Sequence, residues 1–148
     1  MFSAHPSLLS GSGVSGVIHK AAGKKLEQAA KAFAPIKPGQ AIITPAFNLS
    51  AKYVIHAVCP RYIYGSEEEE ELLAQAYSSA LALHDKTGNV GSIAFVSMGT
   101  GVYRWPLEKA AEIATNELLK SKYKETIVYV VDEETKNEYQ RAYERNKN

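Results

Sequence analysis

The chain has 148 residues and a mass of 16.2 kDa, enough for one domain with a proper core and too little for two. Its 45% hydrophobic and 22% charged residues exclude a disordered chain, and 17 Lys and Arg against 16 Asp and Glu leave a net charge of +1, with no global field to favour nucleic acid or an anionic membrane. A single cysteine, Cys59, excludes an intrachain disulfide and a cysteine zinc cluster, no apolar run approaches the roughly 20 residues of a membrane helix, and MFSAHPSLLSGSG lacks the basic n-region of a signal peptide. A reducing, cytoplasmic setting is expected, or a nuclear one in a eukaryote.

The spacing predicts a short helix over 14–22, after a Ser/Gly loop. A second is expected over 24–34, with Leu26, Ala29, Ala30 and Phe33 on one face, ended by Pro35, Pro38 and Gly39. Residues 40–44 and 52–58 carry Ile42, Ile43, Tyr53, Val54 and Ile55 and read as two strands. The longest helix is expected over 67–86, with a stripe of Leu73, Ala76, Tyr77, Ala80 and Leu81. Glu67 to Glu71 then fall where the helix dipole favours negative charge, so a solvated helix start is preferred over a metal site or a basic partner. SIAFVS over 92–97 reads as a buried strand. Pro106 stands at a first helical position, followed by Leu107, Ala110, Ala111, Ala114 and Leu118 at helical spacing. TIVYVV over 126–131 reads as another buried strand, and 133–145 as a closing polar helix with Tyr139, Ala142 and Tyr143 inward. Alternating strands and amphipathic helices predict one α/β domain over 1–148 with a mostly parallel sheet.

Two segments depart from this core grammar. Ser10-Gly11-Ser12-Gly13-Val14-Ser15-Gly16 directly precedes a helix, where unpaired N–H groups and the dipole make a ready anion site. Met98-Gly99-Thr100-Gly101-Val102-Tyr103-Arg104-Trp105-Pro106 follows a strand at the end where α/β sheets bind ligands. Tyr103 and Trp105 offer aromatic surface to a ribose or base; the plain alternative is a turn with Trp105 in the core. Two such loops point to a nucleotide-like ligand. Neither is a Walker A motif or a full dinucleotide fingerprint.

The residues SLLSGSGVSGVIHKAAG (7–23), GQAIITPAFNLSAKYVIHAVCP (39–60) and SIAFVSMGTGVYRWPLEKAAEIA (92–114), in this order and spacing, resemble the macro domains, which bind ADP-ribose. The resemblance extends over almost the whole chain and is nearest to the hydrolytic MacroD-like branch. It implies a three-layer α/β/α fold with a mixed, mostly parallel sheet. It also implies ligand contacts from Gly11, Ser12, Gly13, Val14, Ser15 and Gly16 around the diphosphate and distal ribose. Met98, Gly99, Thr100, Gly101, Val102 and Tyr103 would clamp the other side, with Tyr103 near the distal ribose. The end of the last strand, around Val131 and Asp132, would border the adenine. The implied ligand is ADP-ribose or a mono-ADP-ribosylated protein, with no cofactor and no metal.

Two departures matter. Hydrolytic members that this chain resembles read roughly Asn-Ala-Ala-Asn before the first loop and Gly-Val-Asp-Gly within it. The last Asn orients the distal ribose and the Asp helps to activate water. Here the Asp position is Ser15, the last Asn falls on His5 and the first on Phe2. A serine hydroxyl does not ionise near neutral pH, and loss of a general base typically costs about 10²–10⁴-fold. Family members also normally begin with one more strand-helix-strand unit, whose second strand runs mid-sheet. Met1 falls roughly where that strand ends. A lineage-specific loss, a mis-assigned start and a fragment all fit, and exposed sheet edges would then favour self-association.

Among the histidines, His19 and His56 read as structural, His84 as exposed, and His5 as a weak catalytic candidate beside Ser15. Cys59 reads as a small buried hydrophobe. The favoured function is ADP-ribose binding with weak or absent hydrolysis. The alternatives are an active mono-ADP-ribosyl hydrolase, acting on proteins or O-acetyl-ADP-ribose, and a structural or RNA-contacting remnant without a pocket. Near-neutral charge weighs against general RNA binding.

Overall fold

The computed structural model describes residues 1–11, 13–88, 90–96 and 104–147. In chain order the elements are β1 (Phe2–Ser3), α1 (Gly13–Ala22), α2 (Lys24–Lys31), β2 (Ala41–Pro45), β3 (Tyr53–Ala57), α3 (Glu67–Ala82) running into a 3₁₀ turn (Leu83–Lys86), β4 (Ser92–Val96), α4 (Leu107–Leu118), β5 (Glu125–Tyr129) and α5 (Glu133–Asn146).

The ladders are β1-β3-β2 and β4-β5. β2 and β3 form an antiparallel hairpin, with Ile43 opposite Ile55, while β1 runs parallel to β3 and β4 parallel to β5. Met1 joins the two ladders. Its amine donates to the Ala94 carbonyl at 2.7 Å, and its carbonyl accepts from the Val96 N–H at 3.4 Å. These bonds straddle Phe95, the pattern of a parallel pairing. The centre of the sheet is therefore held by Met1, Phe2 and Ser3. Among the described residues no strand lies between the earlier halves of β3 and β4.

The layers follow from which faces are apolar. Leu8, Ala22, Leu26, Ala30 and Ile36 pack with Phe2, Val54 and Val58 beneath α1 and α2. On the other face Leu73, Ala76, Tyr77 and Ala80 of α3 and Ala110 and Ala114 of α4 meet Ile55, Ala57, Ile93 and Phe95. α5 lies along α4, tied by Arg145 and Asn146 to the Glu112 carboxylate. This is the three-layer α/β/α arrangement expected. The Glu67 run opens α3 as a capping box: Ser66 Oγ accepts from the Glu69 N–H, and the Glu69 carboxylate accepts from the Ser66 N–H.

Several local expectations are corrected. α2 stops at Lys31, so Phe33 turns outward and is 52% exposed. Pro106 caps α4 from outside, because its ψ of 131° is not helical. β4 and β5 are not continuously buried. Ser92 and Ala94 are exposed, Tyr129 is 60% and Val131 99% exposed, because α1 and α2 cover β1, β2 and β3 and, among the described residues, no helix covers that face of β4–β5. Tyr143 is half exposed, and of the expected α5 stripe only Ala142 is fully buried. His84 is not a free surface residue, since its ring meets Tyr123 edge-on at 4.5 Å. Among the described residues no helix is long and apolar enough to cross a membrane.

The buried polar atoms predict the acid response. The His56 ring is fully buried, with Phe2 at 4.9 Å and His19 at 6.2 Å between ring centres. Burial first, then His19 and the Met1 amine, push its pKa down to about 3. Burial likewise lowers the Met1 amine to about 6. Both groups bind protons more readily when unfolded, so stability falls as pH drops, from 8 to 6 for the amine and from 6.5 to 3 for His56. At roughly 1.4 kcal/mol per pKa unit this loss amounts to a few kcal/mol for each group. Urea midpoints followed by Trp105 fluorescence should therefore decline from pH 8 to pH 4, and His56→Leu should flatten the lower part of the curve. A profile unchanged in that variant would remove His56 as the cause.

Candidate functional site at the carboxyl ends of the parallel strands

β1, β3, β4 and β5 run in one direction, so the segments after Ser3, Ala57, Val96 and Tyr129 open on one end of the sheet. That is where open α/β sheets place ligands. The chain leaves β1 through Ala4, whose N–H donates to the Ala57 carbonyl at 2.7 Å, and turns at once, with the Leu8 N–H on the His5 carbonyl at 2.8 Å. Leu8 has φ 58° and is fully buried. A left-handed leucine is costly, and its side chain in the core beneath α1 and α2 is what holds the turn. Farther on, the Ser10 N–H donates to the Glu27 carboxylate of α2 at 2.8 Å. The loop is thus pinned at both ends before it reaches Gly11.

Two glycines of this loop are required by geometry. Gly13 has φ +62°, and a Cβ on Gly16 would collide with the Gly11 carbonyl oxygen. The loop doubles back onto the first turn of α1, with Gly11 and Gly13 exposed. That first turn carries no acidic residue, whereas α2, α3, α4 and α5 each have at least one. A helix start without its own carboxylate keeps its positive end for an outside anion. Ser15 Oγ is buried there without a hydrogen-bond partner, as is His19 Nδ1 one turn further along. Val14 is half exposed. Ser12 lies outside the described residues.

His5 is exposed, and its orientation is fixed. Its Nδ1 accepts from the Ser7 N–H at 3.1 Å and lies 2.8 Å from Ser7 Oγ. A nitrogen that accepts from an amide carries a lone pair, so in the neutral ring the proton sits on Nε2. Neutral His5 therefore offers the site an N–H donor and keeps its basic nitrogen on Ser7. His19 and His56 are structural, as expected. His56 Nε2 bonds Thr44 Oγ1 at 3.0 Å, and both rings are pushed toward the neutral form, His19 by burial partly offset by Glu27. Cys59 is buried, and burial pushes its thiol up to about 12, so it has no nucleophilic role.

The expected second loop, Met98, Gly99, Thr100, Gly101, Val102 and Tyr103, lies outside the described residues; its flanks do not. Trp105 is buried in the core, its Nε1 donating to the Pro60 carbonyl at 2.8 Å and its ring tilted against Tyr62 at 5.1 Å. It supplies an anchor, not a stacking surface for a ligand. Asp132 caps α5, accepting from the Thr135 N–H at 2.7 Å, a bond that holds its carboxyl below the usual range. Val131 beside it is almost fully exposed. Among the described residues no cluster of three or more His, Cys, Asp or Glu is placed to hold a metal.

The sequence reading missed Leu8, Glu27 and Glu69. Glu69 bonds the backbone N–H groups of Ile63, Tyr64, Gly65 and Ser66 at 2.7–3.2 Å, which outweigh the opposing effect of desolvation and lower its pKa. Only the Ser66-x-x-Glu69 capping signature was available in the sequence to point to it.

A macrodomain of Oceanobacillus iheyensis, solved with ADPR, is 34% identical and superposes with a TM-score of 0.88 over 97% of this chain and 82% of its own. The same macrodomain has been solved with ADP. An O-acetyl-ADP-ribose deacetylase of Citrobacter rodentium is 43% identical over 147 residues, 93% of this chain and 82% of that protein. A macro domain-containing protein of Caldanaerobacter subterraneus is 42% identical over 149 residues, covering 95% and 85%. The macro domain family model matches residues 3–114. With the layered fold, the glycine loop and these likenesses in register, the chain belongs to the macro domain family.

Proposed function

We propose that this chain binds ADP-ribose between the Gly11–Gly16 loop and the Met98–Tyr103 loop, and that it hydrolyses ADP-ribosyl bonds weakly or not at all. The observation that carries the binding is the start of α1. Its first turn has no acidic residue, it is backed by a loop too tight for a side chain at Gly16, and it holds the buried Ser15 hydroxyl without a partner. A diphosphate accepts what that turn donates. His5 Nε2–H faces the task that the resemblance gives to an asparagine, donating to a distal-ribose hydroxyl. Asp132 and Val131 would border the adenine, with only the uncapped carboxylate oxygen of Asp132 to spare. The ligand is free ADP-ribose or its mono-ADP-ribosyl adduct on a protein, in a cytoplasmic or nuclear setting that suits a lone buried thiol. Self-association through exposed sheet edges belongs to the same reading.

A second reading, an active hydrolase, is favoured by the relatives named O-acetyl-ADP-ribose deacetylase. The chemistry at Ser15 weighs against it. A carboxylate there accepts a proton and aims water at the anomeric carbon, whereas a hydroxyl exchanges one hydrogen bond without taking charge.

Calorimetry with ADP-ribose should show binding, and Gly101→Val should abolish it, because a β-branched side chain fills the space a diphosphate needs. Unchanged affinity would remove the second loop from the site, and no wild-type binding would leave the structural or RNA-contacting role.

Release of ADP-ribose from a modified glutamate should be slow or undetectable, and Ser15→Asp should raise kcat more than it lowers KM. Robust wild-type turnover that survives Ser15→Ala but collapses in His5→Ala would move the chemistry to His5.

A further inference from the structure

The segment that leaves β3 is an exposed apolar turn held rigid from within. Ile63 is 64% and Tyr64 88% exposed, yet the four backbone N–H groups from Ile63 to Ser66 all close on the Glu69 carboxylate. Those donors are consumed, so the turn is no anion site. A turn fixed by its own carboxylate presents its side chains without the ordering entropy that a mobile loop loses on binding. Two further bonds fix its place. Pro60 accepts from Trp105 Nε1, and Tyr62 lies against the Trp105 ring, so the turn sits beside the end of the segment that returns from β4.

The topology says which part of a ligand it borders. Across the sheet the parallel strands lie in the order β5, β4, β1, β3. In the proposed binding mode, on which this inference rests, adenine lies at the end of β5 and the distal ribose near His5 at the end of β1. The next segment, beyond the ribose, is 60–66. What lies beyond the distal ribose of an ADP-ribosylated protein is the modified side chain and its neighbours.

We propose that Ile63 and Tyr64 form the rim that receives the polypeptide around an ADP-ribosylated side chain, and that this rim selects apolar residues flanked by basic ones. Apolar selection follows from the two exposed side chains. The basic preference follows from Glu67, Glu68 and Glu71, which are exposed on the adjoining turns of α3. These are specificity residues. They touch the carrier of the ADP-ribose and leave the nucleotide alone.

The test compares three probes on the full chain: free ADP-ribose, a mono-ADP-ribosylated peptide with Leu and Lys beside the modified residue, and the same peptide with Ser in their place. Wild type should bind the Leu/Lys peptide about tenfold tighter than the Ser peptide, a span set by one or two well-placed anchor residues. The double variant Ile63→Ser with Tyr64→Ser should lose that preference while its affinity for free ADP-ribose stays within about twofold, since exposed substitutions change little else. A wild type that does not distinguish the peptides overturns the rim, as does a double variant that weakens all three probes equally. A wild type that fails to bind free ADP-ribose overturns the underlying reading and the rim with it.

Discussion

Everything in this fold that positions the site passes through the pairing of Met1, Phe2 and Ser3 between β3 and β4. Phe2 is fully buried against His56 and His19 on one face, and Ser3 faces the α3–α4 side beside Cys59. Two register pairs with β3 and two hydrogen bonds between Met1 and β4, one donated by each side, are what make one sheet of two ladders. The loop that carries His5 starts at the next residue but one. A shift of this short strand would move the first loop relative to both neighbouring strand ends, so the polar cost of burying His56 and an amine is tied to the geometry of the site.

Three carboxylates satisfy backbone donors near the carboxyl ends of the parallel strands. Glu27 holds Ser10, Asp132 caps α5 and Glu69 gathers four amides in front of α3. The first turn of α1 contrasts with them in having no acidic residue of its own.

The layered class and most elements were legible because helix and strand periods are written in single residues such as Leu73, Ala76, Tyr77 and Ala80. The errors fall where tertiary cover decides. Ala94 and Tyr129 sit in apolar strands that look buried, yet among the described residues no helix lies over that face. Phe33 fits the α2 stripe by spacing, but the helix has ended. In the site, Gly11 to Gly16 and Ser15 were readable from composition and resemblance. Leu8 was not, since nothing local announces a leucine with positive φ. Nor was Glu69, whose four amide contacts arise from the path of a loop. For Trp105 the plain alternative, a place in the core, is the one the structure takes, while its partner, the Pro60 carbonyl, was not legible because it lies 45 residues away.

The bond between Met1 and Ala94 spans 93 residues of chain. Such a contact closes a very large loop before it gains any packing, so it belongs among the slow, late events of assembly. The helices α1 and α2 and the β2–β3 hairpin form from neighbours in sequence and can gather early beneath Leu8 and Leu26. The two halves become one sheet only after β4 has joined. For a chain emerging from a ribosome, the ligand end of the molecule is therefore among the last parts to acquire its shape, and nascent chains that stall before β4 would present an unjoined sheet edge to the quality-control machinery.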